Sequence, residues 1–147
     1  MNWTLEVVSV PVSDVERAKS FYADQLGFAV DHDTRLSDVA GMLGEGVEDV
    51  RFVQLTPRGS GCSIVIGAPG LEMAPGSLQG LQLVVPDLPA ARAQLVERGV
   101  EVGEIQVFDG GAPRPHREGD VLDNVGFVFF KDPDGNGWGV QQISARA

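Results

Sequence analysis

The chain carries one pattern twice, so its fold must be able to use that pattern twice. Val7-Val8-Ser9-Val10-Pro11-Val12-Ser13-Asp14 reads as an extended apolar segment ending in an aspartate, and Gly80-Leu81-Gln82-Leu83-Val84-Val85-Pro86-Asp87 reads the same way 73 residues later. Each leads into helical periodicity, over Val15 to Gln25 and over Leu88 to Arg98. Each helix stops at a glycine, Gly27 or Gly99, and these stand 72 apart. Short strands are expected next, at Phe28-Ala29-Val30 and Val100-Glu101-Val102. Pro57-Arg58-Gly59-Ser60-Gly61-Cys62 then matches Pro133-Asp134-Gly135-Asn136-Gly137-Trp138 at an offset of 76, with apolar strands on both sides of each turn. Each half therefore reads as strand, helix and about three strands.

Local signals agree with this reading. Ser13-x-x-Glu16 predicts a capping box, and Asp87 with Pro89 predicts the start of the second helix. Val15, Ala18, Tyr22 and Leu26 form one helical stripe, and Leu88, Ala91 and Leu95 form the other. Neither strand–helix junction is glycine-rich, which speaks against a dinucleotide fingerprint or a phosphate loop. Two segments have no counterpart in the other half. Thr34 to Asp49 carries Leu36, Val39, Ala40, Met42 and Leu43, for which a short helix is expected. Asp109 to Asn124 is a polar insertion of the kind that forms lids or binding loops as well as plain surface.

Composition narrows the function. The 147 residues are 43% hydrophobic and 22% charged, a globular mix, with a formal net charge of −10. Such a charge repels nucleic acid and anionic membranes, so neither is an expected partner. No apolar run reaches the roughly 20 residues that span a bilayer. The N-terminus has no basic start followed by an apolar run, so no signal peptide is expected. Cys62 is the sole cysteine, which leaves no internal disulfide and fits a cytoplasmic protein.

Val10-Pro11-Val12-Ser13-Asp14, followed by Ala18-Lys19-x-Phe21-Tyr22 and Leu26-Gly27-Phe28, resembles the opening of the vicinal oxygen chelate superfamily. That group includes glyoxalase I, bleomycin-resistance proteins and extradiol dioxygenases. Phe130-x-Asp132-Pro133-Asp134-Gly135-Asn136-x-Trp138 resembles its closing hairpin. The resemblance covers nearly the whole chain. It implies an α+β fold in which two βαβββ modules form a cupped eight-stranded mixed sheet with helices on the convex face. The modules would span residues 1–67 and 80–147, with 68–79 as linker. The resemblance also implies a small organic ligand on the concave face and a homodimer.

Family enzymes hold a divalent metal (Fe, Mn, Zn or Ni) through His, Gln or Glu on the first and last strand of each module. The resemblance places those positions at Val7 and Gly80 on the first strands and at Ser63 and Gly139 on the last ones. The four offer one hydroxyl, no imidazole and no carboxylate. A slip of one residue brings up Glu6 or Val8, Cys62 or Ile64, and Trp138 or Val140, which make no ligand set either. The expectation is therefore a metal-free site with no cofactor.

Strand alternation nominates a lining from the same positions. Val7 brings Trp3 and Ser9; Gly139 brings Gln141; Gly80 brings Gln82; Phe52 and Gln54 share a face beside Ser63. Unpartnered amides are costly to bury, so Gln54, Gln82 and Gln141 point to a polar pocket. Trp138 has the opposite parity and is expected between sheet and helix, and Tyr22 in the helix core. His32 lies at a strand end between Asp31 and Asp33, as an exposed side chain. His116, Glu118 and Asp120 would share a face if extended, which makes His116 and Glu118 the candidates for acid–base or metal chemistry. Asp132, Asp134 and Asn136 read as turn residues, and Cys62 as a structural thiol. The function expected is small-molecule binding in the cup, as in bleomycin resistance, with acidity suited to a cationic ligand. The alternative is a metal-dependent lyase, isomerase or dioxygenase with non-standard ligands, His116, Glu118 and His32 among them.

Overall fold

Two aspartates start the two helices, and they do it almost identically. The computed structural model describes residues 1–35, 51–68 and 71–145; the helix expected within 34–49 lies mostly outside them. Asp14 sits at φ −136°, ψ 104° and accepts from the Arg17 N–H, and Asp87 sits at φ −139°, ψ 100° and accepts from the Ala90 N–H. A charged acceptor at the positive helix end supplies both a hydrogen bond and a favourable dipole interaction. The capping box expected at Ser13 and Glu16 does not form. Asp14 occupies the cap, the Ser13 hydroxyl donates to Asp134, and Glu16 pairs with Arg51.

The first helix is not uniform. Helix α1 (Val15–Ser20) continues as a π-helical turn over Phe21–Gln25. The Leu26 N–H reaches back to the Phe21 carbonyl at 3.0 Å, the wider i to i+5 spacing. The wider turn buries two successive rings, Phe21 and Tyr22, edge to face at 5.2 Å, and Tyr22 stacks on Phe28 at 5.8 Å. The single stripe expected from a regular helix thus gains Phe21, while Leu26 stays half-buried.

In the first unit, strands β1 (Val7–Val10), β2 (Ala29–Arg35), β3 (Arg51–Thr56) and β4 (Ser63–Ile66) lie in the order β1-β4-β3-β2. β1 runs parallel to β4 and the other pairs are antiparallel. One face carries Val10, Val53, Leu55, Ile64 and Ile66, all buried, with α1 packed on β3 and β4. The second unit repeats the plan. Strands β5 (Leu81–Val85), β6 (Gln106–Val107), β7 (Arg114–Pro115), β8 (Gly126–Lys131) and β9 (Gly137–Gln142) lie in the order β5-β9-β8-β6-β7, with helix α2 (Leu88–Glu97) against β8 and β9. The fold is α+β. Nine strands form among the described residues rather than eight, because the unmatched segment 109–124 contributes β7. The strand expected at Val100-Glu101-Val102 is reduced to a single bridge, Val102 to Phe130.

The ladders also correct the repeat register. Val7 stands opposite Ser63, whereas Gln82, not Gly80, stands opposite Gly139. First-strand positions therefore repeat with an offset of 75, so that Pro11 matches Pro86, and last-strand positions with an offset of 76. The first copy carries two more residues between strand and capping aspartate.

The chain divides into Met1–Leu78 with Pro133–Asn136, and Gln79–Asp132 with Gly137–Ala147. The turn between β8 and β9 thus belongs to the first unit. There Asn136 is fully buried, donates from Nδ2 to the Pro11 carbonyl at 2.8 Å and accepts from the Leu78 N–H at 3.0 Å. The Gly76 N–H joins the same Pro11 carbonyl at 3.1 Å.

Candidate functional site

Among the described residues each sheet has one face on which no helix packs, and strand register decides what stands on it. In the first unit that face carries Val7 and Ser9 of β1, Ser63 and Val65 of β4, Phe52, Gln54 and Thr56 of β3, and His32 and Thr34 of β2. Of the six first-unit residues that alternation nominated, five, Val7, Ser9, Phe52, Gln54 and Ser63, share a face. His32 is exposed as expected, but it lies within β2 rather than at its end and stands directly opposite Gln54, on the same face. A bulge between Val30 and His32 turns Asp31 onto the same surface. The Thr56 hydroxyl donates to the Asp31 carboxylate and lies 2.6 Å from the Ser63 hydroxyl. With its own proton given to Asp31, Thr56 accepts from Ser63, and the three groups form a directed relay.

Trp3 behaves differently. Its strand parity does not apply, because β1 begins only at Val7, and the side chain is 82% exposed. The helix side of the first sheet carries charge at its edge instead. Asp33 accepts from Lys19 at 2.8 Å and from Arg51 Nε at 2.8 Å, and Arg51 also reaches Glu16. These cations hold the Asp33 carboxyl well below the usual carboxylate range, with Arg51 the stronger cause.

In the second unit the helix-free face carries Gln82 and Val84 of β5, Gly137, Gly139 and Gln141 of β9, and Phe127, Phe129 and Lys131 of β8. Two rows cross it: Gln82, Gly139, Phe129, and Val84, Gln141, Phe127. The Phe127 and Phe129 rings stack at 6.1 Å and 3°, and Phe108 meets them edge-on at 5.1 and 6.2 Å. A Cβ at Gly139 would come within 3.2 Å of the Phe129 ring, so the glycine makes room for the ring to lean across the row. Phe129 remains 44% exposed. The Gln82 amide nitrogen donates to Gln141 Oε1, and Gln141 Nε2 donates to the Asn124 carbonyl at 2.8 Å. Sequence reasoning placed both glutamines and Gly139 on one face but did not single out Phe108, Phe127 and Phe129. The signal was present, because Phe129 pairs with Gly139 and Phe127 with Gln141 across the hairpin. Trp138 is buried on the helix side and stacks on Phe130, as its parity requires.

The segment 109–124 is folded rather than extended at its middle. The Asp120 N–H bonds the Arg117 carbonyl at 3.1 Å, closing a turn that breaks the alternation expected for His116, Glu118 and Asp120. The His116 N–H bonds the Ile105 carbonyl at 2.9 Å, continuing the β6–β7 ladder. Asp120 instead receives both Arg114 nitrogens, at 2.9 and 3.1 Å, and the Arg117 N–H at 2.7 Å. The Arg114 guanidinium, then the Arg117 N–H, hold its carboxyl down at about 2. Among the described residues, no group of three or more His, Cys, Asp or Glu side chains stands close enough to hold a metal ion. What the two faces offer is a hydroxyl–carboxylate relay with amide and imidazole on one, and an aromatic platform with paired amides on the other.

Comparison with known proteins gives this geometry a context. The family model described as Glyoxalase/Bleomycin resistance protein/Dioxygenase superfamily matches residues 4–140. Among curated proteins, none matches the chain. The crystal structure of TnmS3, an antibiotic binding protein from Streptomyces sp. CB03234, is 35% identical with a TM-score of 0.67, covering 97% of this chain and 98% of that one. A glyoxalase/bleomycin resistance protein from the same organism is also 35% identical, with a TM-score of 0.64, covering 95% and 100%. A member of the same superfamily from Sphaerobacter thermophilus is 26% identical with a TM-score of 0.67, covering 96% and 98%.

Proposed function

The chain belongs to the Glyoxalase/Bleomycin resistance protein/Dioxygenase superfamily, and from that premise we propose that it binds a small aromatic molecule against the helix-free face of its second sheet, without a catalytic metal, as a cytoplasmic homodimer. The observation that carries this reading is the Phe108–Phe127–Phe129 cluster, left partly open to solvent beside two paired amides. An aromatic ligand gains about 0.5–1.5 kcal/mol per ring contact beyond its buried area. The amides orient it by hydrogen bonds worth about 0.5–1.5 kcal/mol each. The likeness to TnmS3, an antibiotic binding protein, supports the same reading. The half-buried thiol of Cys62 suits a reducing compartment.

The donor set supports the metal-free part. On the corrected register the four positions are Val7, Ser63, Gln82 and Gly139: Val7 and Gly139 contribute no donor, the Ser63 hydroxyl is already engaged with Thr56, and the Gln82 amide is engaged with Gln141. One neutral hydroxyl and one neutral amide do not fit the oxygen- and nitrogen-rich shell of a divalent ion. Elemental analysis of protein purified without chelators is expected to find metal far below one per chain. One bound metal per chain would overturn this part of the proposal.

The binding reading is tested by calorimetric titration with polycyclic aromatic antibiotics, wild type against Phe129→Ala. Removing the exposed ring is expected to weaken binding by about tenfold. Unchanged affinity in Phe129→Ala, or no binding of any aromatic compound by the wild type, would refute it.

A further inference from the structure

The direction of the Gln82–Gln141–Asn124 chain is forced from one end. The Asn124 backbone carbonyl can only accept, so the nitrogen of Gln141 must face it, and does at 2.8 Å. Gln141 Oε1 then faces Gln82, which must present its own nitrogen. The opposite setting of either amide would bring two acceptors or two donors together. Gln82 Oε1, on an exposed side chain, meets no donor among the described residues and is left as an acceptor.

The anchor of this chain is rigid. Asn124 holds φ 67°, the one positive value on a non-glycine residue among those described. Its N–H donates to the Gln142 carbonyl at 2.8 Å. The neighbouring Asp123 carboxylate accepts from Gln142 Nε2 at 3.1 Å, the Ser144 N–H at 3.0 Å and the Ser144 hydroxyl. The turn is tied to β9 on both sides, so the Asn124 carbonyl cannot swing away without breaking several hydrogen bonds. Gln82 is also well placed to use its acceptor. It lies in one row with Gly139 and Phe129, and the absent side chain at Gly139 leaves nothing but the leaning ring between them.

We propose that Gln141, held by the Asn124 carbonyl, is a positioning residue that fixes Gln82 as a hydrogen-bond acceptor, so that this face selects aromatic ligands carrying a donor, a phenolic hydroxyl or a ring-attached N–H. The inference rests on the aromatic-binding reading and adds the chemistry of the substituent. A ring with only acceptors meets an acceptor that cannot turn over, because turning breaks the bond to Gln141.

The test titrates the intact chain with naphthol, naphthyl methyl ether and naphthaldehyde, three probes of similar size. Only naphthol can donate. The wild type is expected to bind naphthol about tenfold more tightly than the ether, the ratio one well-formed hydrogen bond supplies. Gln82→Leu, at an exposed strand position, is expected to remove the preference. Gln141→Leu frees the Gln82 amide to rotate, and the naphthol-to-naphthaldehyde ratio is expected to fall several-fold while both still bind. A purely structural role for Gln141 would weaken all three probes alike and overturn the assignment. Equal binding of naphthol and ether by the wild type would overturn it too, leaving aromatic binding intact. Failure of every probe to bind would instead bring down the aromatic reading and this inference with it.

Discussion

Single residues carry unequal weight in the two copies of the same turn. Asn136 uses both ends of its amide, on Pro11 and Leu78, with no exposure to solvent. Gly76 lies against that turn at φ 81°, and a Cβ there would overlap the Asp134 carbonyl oxygen. Gly61, in the matching turn of the first copy, has open space around its Cα and an ordinary φ. Gly76→Ala is therefore expected to cost more than about 2 kcal/mol, since strain and overlap with backbone add. Gly61→Ala is expected to change stability by less than about 0.5 kcal/mol. Urea unfolding of both variants checks the contrast, and equal midpoints would refute it. Neither role was legible in the sequence, which marks Pro, Gly and Asn as turn formers but not which turn another segment will lie against.

At the scale of elements, periodicity revealed most strands and both helices because burial imposes it. It failed where a local hydrogen bond took over. The π-turn at Phe21–Gln25 leaves no mark in the pattern, since Phe21 and Tyr22 are both apolar in either register. The capping box failed because Asp14 competes for the same position one residue later. The segment 109–120 shows the same limit: a turn centred on Arg117–Asp120, held by Arg114, replaced an extended run. Arg114 binds Asp109 at 3.1 Å and Asp120 through two bonds, and the clasp spans the insertion. Asp120 titrates at about 2 in the fold against an ordinary 3.8, so the clasp stabilises the segment fully above the ordinary value and is lost as pH falls towards 2. Asp120→Asn is expected to loosen it at neutral pH. Trypsin cleavage after Arg117 should then accelerate several-fold, and an unchanged rate would argue that the clasp does not order the segment.

For the whole molecule, the duplication was the most readable feature and the ligand the least. A repeat is a property of the chain itself, whereas a site depends on which strands lie side by side. Ser63 and Gly139 could be placed on their strands because the turns fix them. Phe127 and Phe129 were not found, because their place follows from pairing across a hairpin. The surface combines a net charge of −10 with exposed Met1, Trp3 and Leu5 ahead of β1. On the homodimer reading, exposed apolar side chains such as these are candidates for burial between copies, and light scattering is expected to give twice the chain mass. A monomeric mass at micromolar concentration would refute the homodimer.

The two copies of the turn have also parted company in a way that bears on descent. Pro133–Asn136 is part of the first unit although it joins two strands of the second. Once that trade was made, neither half could be cut free and keep its own parts. Descendants of this chain should accordingly vary in length and spelling at 57–62, where Gly59 and Gly61 meet no neighbour. They should stay fixed at 133–136, where a single inserted residue would pull Asn136 off Pro11 and Leu78.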